Sequence, residues 1–592
     1  MNVSVLIIIT LPLFYIAYRV YSQYIAGVLG EDDNRQTPAV EFKDGRDYVP
    51  TKRGVIFSHH FASISGAGPI IGPTVAVLYG YLPVWLWVII GGIFIGAVHD
   101  YTSLFVSLQK RGRSMADVAG STLGKTGFLL FIIFTLILIV LVTSAFLGLT
   151  ATALSSFVPL EVINMESGQS LFHTVIRDGR EMVQIGGIAS TSVIIMTCFA
   201  PLLGWLLYRK NLSMGIGMIL AIVTGIGSIY IGILSPISIY PDHWMIILTV
   251  YCLFASSIPV WIILQPRDFI NSFILYLGIA VMIAGIIGGG IKGVSINAPA
   301  LNFEHGFEKL GMIWPFLFIT VACGAISGFH SLVAGGTVSK QIKCESHART
   351  IGYGGMLMES LLAVGVISAI SAGLSFGYYQ EIVFPSASGA KANPILAFAL
   401  SMGGLLHKGI GLPMRYGIVF GILMVEGFVI TTLDTAVRLN RYLFQELWET
   451  LFKNTPDIMK SSFFNGGLSV LLMLYMGYTN RFKLIWPVFG SANQLLAALT
   501  LIAVAVWLAN RNKKIWFVII PAIFMMITTI AALSYLLIKR YIPSGNITLA
   551  IADLLLLSLS AGVIILAVKR LSAIRALKAK NTAQSVFITE EN

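Results

Sequence analysis

Apolar stretches about 20 residues long, the length that carries a helix across the hydrocarbon of a bilayer, follow one another from near the first residue to Lys569. They lie near 3–22, 57–80, 82–108, 126–158, 185–208, 213–234, 244–264, 269–290, 310–330, 351–375, 415–435, 461–479, 484–509, 515–538 and 548–569. Backbone groups in lipid must satisfy one another, and a membrane barrel would show alternating short segments instead of long apolar runs, so these spans are expected to be helices. The fold class that follows is an all-α polytopic membrane protein of about 15–18 transmembrane helices. Residues 1–569 form a single transmembrane domain in this reading, and 570–592 a mobile basic tail. With 56% of 592 residues hydrophobic and only 11% charged, a water-soluble enzyme is excluded.

The net charge of +12 would suggest a nucleic-acid partner in a soluble chain. Here the Lys and Arg residues sit in short loops beside apolar runs, the positive-inside pattern, so the expected environment is the lipid bilayer and no nucleic acid is expected as a partner. Arg35, Lys43, Arg46, Lys52 and Arg53 precede the second span; Lys110, Arg111, Arg113 and Lys125 follow the third; Arg209 and Lys210 follow the fifth. The turn from Gly80 to Pro83 carries no charge. Alternation puts the N-terminus outside and these loops in the cytoplasm, together with Arg267, Lys340, Lys343, Arg349, Arg511, Lys513, Lys514 and the C-terminus. It holds only if the weakly apolar run 392–406 is re-entrant or half-crossing. The stretch RLNRYLFQELWETLFKN from Arg438 reads as an amphipathic helix on the cytoplasmic surface. The first run lacks a basic leader and a small-residue cleavage site, so it is expected to be a retained span. Cys198, Cys252, Cys323 and Cys344 lack metal-ligand spacing and read as packing residues, with no metal expected.

The stretch SHHFASISGAGPIIGP from Ser58 holds three glycines and two prolines within its last eight residues, which no regular helix sustains. Unwound backbone at membrane depth is tolerated where it is buried in protein or lines a wet cavity, and half-helix ends there hold ions and carboxylates. His59, His60, Ser65, Gly66, Gly68 and Pro69 are therefore candidate substrate-binding residues. A second irregular stretch runs from Cys323 to Gln341, where Ile326-Ser327-Gly328 echoes Ile64-Ser65-Gly66. Ser327, Gly328, His330 and Thr337 join the candidates. The charge count gives the two stretches opposite directions, as in an inverted-repeat transporter.

Ionisable residues inside spans usually face a pathway or a partner. His99, Asp100, Glu359, Glu426 and Asp434 are candidates for proton or ion coupling, although Asp434 and Arg438 are spaced for a plain i,i+4 ion pair. Asp553 lies early in the last span. Asn493 and Gln494 interrupt an apolar helix start and suit either a substrate or a neighbouring helix. The adjacent pairs His59-His60 and His99-Asp100 are expected to point to different helix faces and lack HExxH spacing, which argues against an intramembrane metalloenzyme.

The HHF and GAGPIIGP segments, Val98-His-Asp-Tyr101, the run Gly328 to Gln341, Thr431-Thr-Leu-Asp-Thr-Ala436 and Phe489-Gly-Ser-Ala-Asn-Gln494 together resemble the carbon starvation protein A family, from the start of the chain to past residue 500. That resemblance implies an inner-membrane transporter of peptides or, in some members, of pyruvate with protons. It also implies a LeuT-like inverted-repeat core, with the carbon-starvation part over about 1–400 and a helical C-terminal part over 401–569. The function expected is secondary active, proton-coupled symport of a small-molecule substrate by alternating access, with no cofactor and no enzymatic activity. Sodium coupling to a small carboxylate or amino acid is the rival, and a nutrient-sensing, channel-like protein the reading from another class. Peptide against pyruvate, proton against sodium, and oligomeric state stay open at this level.

Overall fold

The computed structural model describes residues 1–590 except 46–47, 161–172, 178, 211, 260, 386–391 and 480–481, so Arg46 lies outside the described residues. Among the described residues eleven helices are long and apolar enough to cross a membrane, and counting the pair Arg53–Ile64 and Gly68–Tyr79, bent by 45°, as one broken span gives twelve. The other three expected positions are helical too. Pro241–Ser257 is short, Ser462–Thr479 is less apolar, and residues 313–336 are broken into two pieces. The interior is built from α1 (Arg53–Ile64), α2 (Gly68–Ala76), α3 (Ala97–Gln109), α4 (Lys125–Leu154), α5 (Pro241–Ser257), α6 (Leu264–Ile291), α7 (Ile313–Thr320), α8 (Phe329–Gly336), α9 (Gly354–Gly373), α10 (Pro394–Ile410), α11 (Met414–Leu451) and α12 (Phe482–Ala509). Outer helices show lipid-facing apolar side chains such as Ile219, Ile226, Ile551 and Ile565, whereas the span of α12 is enclosed on all sides. The one sheet among the described residues is small, with strands Val158–Pro159, Thr174–Arg177 and Arg180–Val183 paired antiparallel in the connection after α4.

The two irregular stretches are breaks in helices. Residues 65–67 separate α1 from α2, and 321–328 separate α7 from α8. The first break is shorter than the glycine and proline density implies, because Pro69 falls in the first turn of α2, where a missing N–H costs nothing. The first half of one broken helix lies against the second half of the other: α1 packs on α8, and α2 on α7. The two therefore run in opposite directions, the inverted arrangement expected from the sequence. They cross at small residues. A Cβ on Gly68 would collide with the Cys323 side chain, and one on Gly72 would meet the Thr320 carbonyl at 2.6 Å. Such close backbone approach is how membrane helices pack where apolar burial alone gives no drive.

The run expected to be re-entrant is the 17-residue α10, folded back antiparallel on the start of α11, with Ala399 against Gly421 and Gly403 against Gly417. Residues 438–454 differ from expectation. They do not form a separate surface helix, because α11 continues for 38 residues to Leu451, with Leu443, Phe444 and Leu447 buried. Nothing after Gly427 interrupts it, and its apolar face packs on Ser462–Thr479. The basic tail expected to be mobile is carried on by the last helix, Ile547–Glu590.

Candidate functional site

Gly324 lies inside the second break with φ of +90°, a conformation open to glycine and strained for other residues. Two adjacent side chains of α9 hold its peptide groups. Glu359 Oε1 accepts the Gly324 N–H at 3.1 Å, and the Ser360 hydroxyl donates to the Gly324 carbonyl at 2.8 Å. On the other side of the break, α12 supplies the start of α8 with partners. Asn493 Oδ1 accepts the Phe329 N–H at 2.9 Å, its carbonyl accepts the Gly328 N–H at 3.0 Å, and its Nδ2 donates to the Ser327 hydroxyl at 2.9 Å. A helix N-terminus has N–H groups without intrahelical partners, and Asn493 satisfies them from outside. Gln494 donates to the Phe318 carbonyl of α7 at 2.7 Å, so both amides engage a neighbouring helix. Asn493→Ala is expected to leave buried donors unpaired and to cost about 1–3 kcal/mol, read as a lower unfolding temperature of the detergent-purified protein.

A chain of ionisable groups starts at the same glutamate. Glu359 Oε2 faces His330 Nε2 at 3.2 Å, within ion-pair reach though not aligned as a hydrogen bond. His330 Nδ1 lies 2.7 Å from Asp100 Oδ2, and Asp100 Oδ1 lies 2.8 Å from His99 Nδ1. Glu359, His330, Asp100 and His99 are all buried and come from α9, α8 and α3. Carboxyl, imidazole, carboxyl and imidazole thus alternate along one line, joined by hydrogen bonds from His330 to His99 and by a 3.2 Å ion-pair contact at Glu359. The adjacent side chains of His99 and Asp100 do not diverge as the sequence implied, because the two oxygens of Asp100 serve an imidazole on each side.

The first break presents polar groups without partners. Both ring nitrogens of His60 and the hydroxyls of Ser63 and Ser65 are buried and make no hydrogen bond. His60 packs beside Gly355 of α9, while His59 is half-buried. Gly66 lies close against Thr432 of α11, whose hydroxyl reaches the Ser63 carbonyl at 3.4 Å. Gly68 and Pro69 open α2, where the Ile70 and Ile71 N–H groups donate to the Ala67 carbonyl at 3.2 and 2.8 Å. Thr337 lies past the end of α8, its hydroxyl donating to Val333 at 2.9 Å within its own turn. A cavity of about 540 Å³ opens beside that end of α8, lined by Arg113, Asp117, Gly336, Lys340, Glu446 and Glu449 among others. Gly336 is six residues from His330, about 9 Å along the helix.

Two of the expected coupling residues lie elsewhere. Glu426 is buried in α11 with neither carboxyl oxygen bonded, and Asp553 shares that situation in the last helix. Asp434 does not pair with Arg438, which donates instead to the Ile258 carbonyl at 2.9 Å. Its partner is Arg267 of α6, a residue the charge pattern placed in a cytoplasmic loop and the fold buries. The signal available in the sequence was Asp268 beside it, an internal counter-charge at the start of an apolar run. Ser360 and Thr432 were also missed, since a serine or threonine in an apolar helix carries no signal of its partner.

The family model of carbon starvation protein CstA matches residues 2–390 and 375–532. The peptide transporter CstA of Bacillus subtilis (strain 168) is 30% identical over 89% of this chain and 89% of its own length. The pyruvate/proton symporter BtsT of Escherichia coli (strain K12) is 30% identical over 89% of this chain and 81% of its own. Among solved structures, a manganese transporter of Eremococcus coleocola aligns over 90% of this chain at 12% identity with a TM-score of 0.36.

Proposed function

The chain belongs to the carbon starvation protein CstA family, and from that premise we propose that it is a proton-coupled symporter of a small carboxylate-bearing substrate, a short peptide or pyruvate. The observation that carries the proposal is the buried line Glu359–His330–Asp100–His99 touching a broken helix. An ionised Glu359 holds the Gly324 N–H with a charge-assisted bond. Protonation weakens that hold, so proton occupancy is written directly into the conformation of the second break. The substrate carboxylate is assigned to the first break, at the positive end of α2, where His60, Ser63 and Ser65 offer donors with nothing else to bond. Alternating access then connects this region with the cavity beside Gly336, which we place on the cytoplasmic side with the basic loops and the C-terminus. The membrane is proposed to be the bacterial inner membrane. No cofactor enters this mechanism.

The experiment is uptake into proteoliposomes of labelled pyruvate and of a labelled dipeptide under an imposed proton gradient, an imposed sodium gradient, or neither. Accumulation above equilibrium with the proton gradient alone is expected for one of them. Accumulation with sodium alone, or equilibration of both without any gradient effect, would overturn the proposal.

A further inference from the structure

Away from the line of four, a second group of buried charges does not balance. Arg267 donates to Asp434 and to the hydroxyl of Tyr251 of α5, and at 2.8 Å to Asp268. Tyr251 in turn donates to Asp434 Oδ2 at 2.8 Å. Arg267, Asp268 and Asp434 are 1%, 3% and 0% exposed. One oxygen of each carboxylate, Asp268 Oδ2 and Asp434 Oδ1, is buried without a hydrogen-bond partner, as is Asn271 Oδ1 on the same face of α6.

Two carboxylates against one guanidinium leave one negative charge, and among the described residues no further cation forms an ion pair with the group. Tyr251, Cys252, Asn271 and Thr431 are neutral groups. On α11 itself Arg438 turns to the Ile258 carbonyl, Arg441 donates to the Ser462 hydroxyl at 2.6 Å, and Glu426 sits two turns before Asp434, buried with neither carboxyl oxygen bonded. Of the other helices on α6 and α11, Ile185–Tyr208 and Ser462–Thr479 carry no Asp, Glu, His, Lys or Arg, and α4 has only Lys125 at its exposed start. Neither His59 nor His60 of α1 pairs with the group, while His407 and Lys408 of α10 are held near the Leu412 and Ala372 carbonyls. On α8 and α9, His330 and Glu359 face each other.

An uncompensated charge at this depth is costly enough that the group neutralises instead. We infer that the Arg267–Asp268–Asp434 group binds one proton, carried by the two carboxyls in common, as a protonation site separate from the His–Asp–Glu line. Sodium would need several oxygens converging on it, and here the guanidinium sits between the carboxylates. A proton needs only one of the unbonded oxygens. Its arrival at Asp434 turns a charge-assisted contact between α11 and α6 into a neutral one, and Thr432, two residues before Asp434, leans on the first break. The inference does not depend on which substrate is carried.

The test is infrared difference spectroscopy of the purified full chain between acid and alkaline pH, following the carbonyl stretch of buried protonated carboxyls. Asp268→Asn and Asp434→Asn each leave a neutral Arg–Asp pair, so each should fold and each should lose one and the same band, which Glu359→Gln keeps. Persistence of that band in either folded variant overturns the inference, and if one variant does not fold the other decides alone. A sodium-induced change in the carboxylate bands at fixed pH, absent from both variants, would also overturn it by making sodium the ligand.

Discussion

Glu359→Gln is expected to abolish proton-driven accumulation while leaving exchange of labelled substrate across the membrane intact. Glutamine keeps the size of the side chain and an oxygen for the Gly324 N–H, so the second break retains its anchor. What it removes is the group that can carry a proton beside His330. Coupling free energies between sites are about 1–3 kcal/mol, so the ratio of accumulated to equilibrium substrate should fall by roughly 5- to 150-fold. Proteoliposomes loaded with unlabelled substrate report exchange, and the same vesicles under a proton gradient report accumulation. Undiminished accumulation would remove Glu359 from the coupling mechanism. Loss of both activities in folded protein would make it a substrate-site residue instead.

Arg267→Leu is expected to be the most destabilising single change in the interior. It strands Asp268 and Asp434 with no cation and strips the Tyr251 hydroxyl of its donor. Breaking a buried ion pair by removing one partner costs about 3–5 kcal/mol, a large part of the roughly 5–15 kcal/mol by which folded proteins are stable. Arg267→Lys should also be harmed, because a single ammonium cannot serve Asp434, Asp268 and Tyr251 at once. The combined variant Arg267→Leu, Asp268→Asn and Asp434→Asn removes every charge of the group and is expected to recover most of the loss, as replacement of buried ion pairs by neutral residues often does. Thermal unfolding of the detergent-purified proteins measures this. An unchanged unfolding temperature in Arg267→Leu, or no recovery in the combined variant, would show that the buried charges do not govern stability here.

The residues of the proposed coupling line were individually visible in the sequence. His99, Asp100 and Glu359 stand out because charge in an apolar run is expensive, and His330 because it sits in an irregular stretch rich in glycine. What could not be read was that they join. Asp100 and His330 are 230 residues apart, and their contact depends on α3 packing against α8. By sequence Asn493 and Gln494 suit a substrate or a neighbouring helix equally, and the fold turns both to the broken helix. Asp434 shows the same limit more sharply. Its spacing suggested Arg438 four residues on, yet its partner is Arg267, 167 residues away.

By itself the sequence determined the membrane class, the position of most of the crossings and the two breaks in opposed helices. These follow from local properties. Hydropathy sums over one segment, and a glycine or proline disturbs only its own turns. The tertiary structure alone decided which buried charges meet, that α11 runs on where a surface helix was expected, and that Arg267 is buried instead of lying in a cytoplasmic loop. Those outcomes depend on which helix faces come together, and in hydrocarbon a charged side chain takes its partner from whatever face that turns out to be.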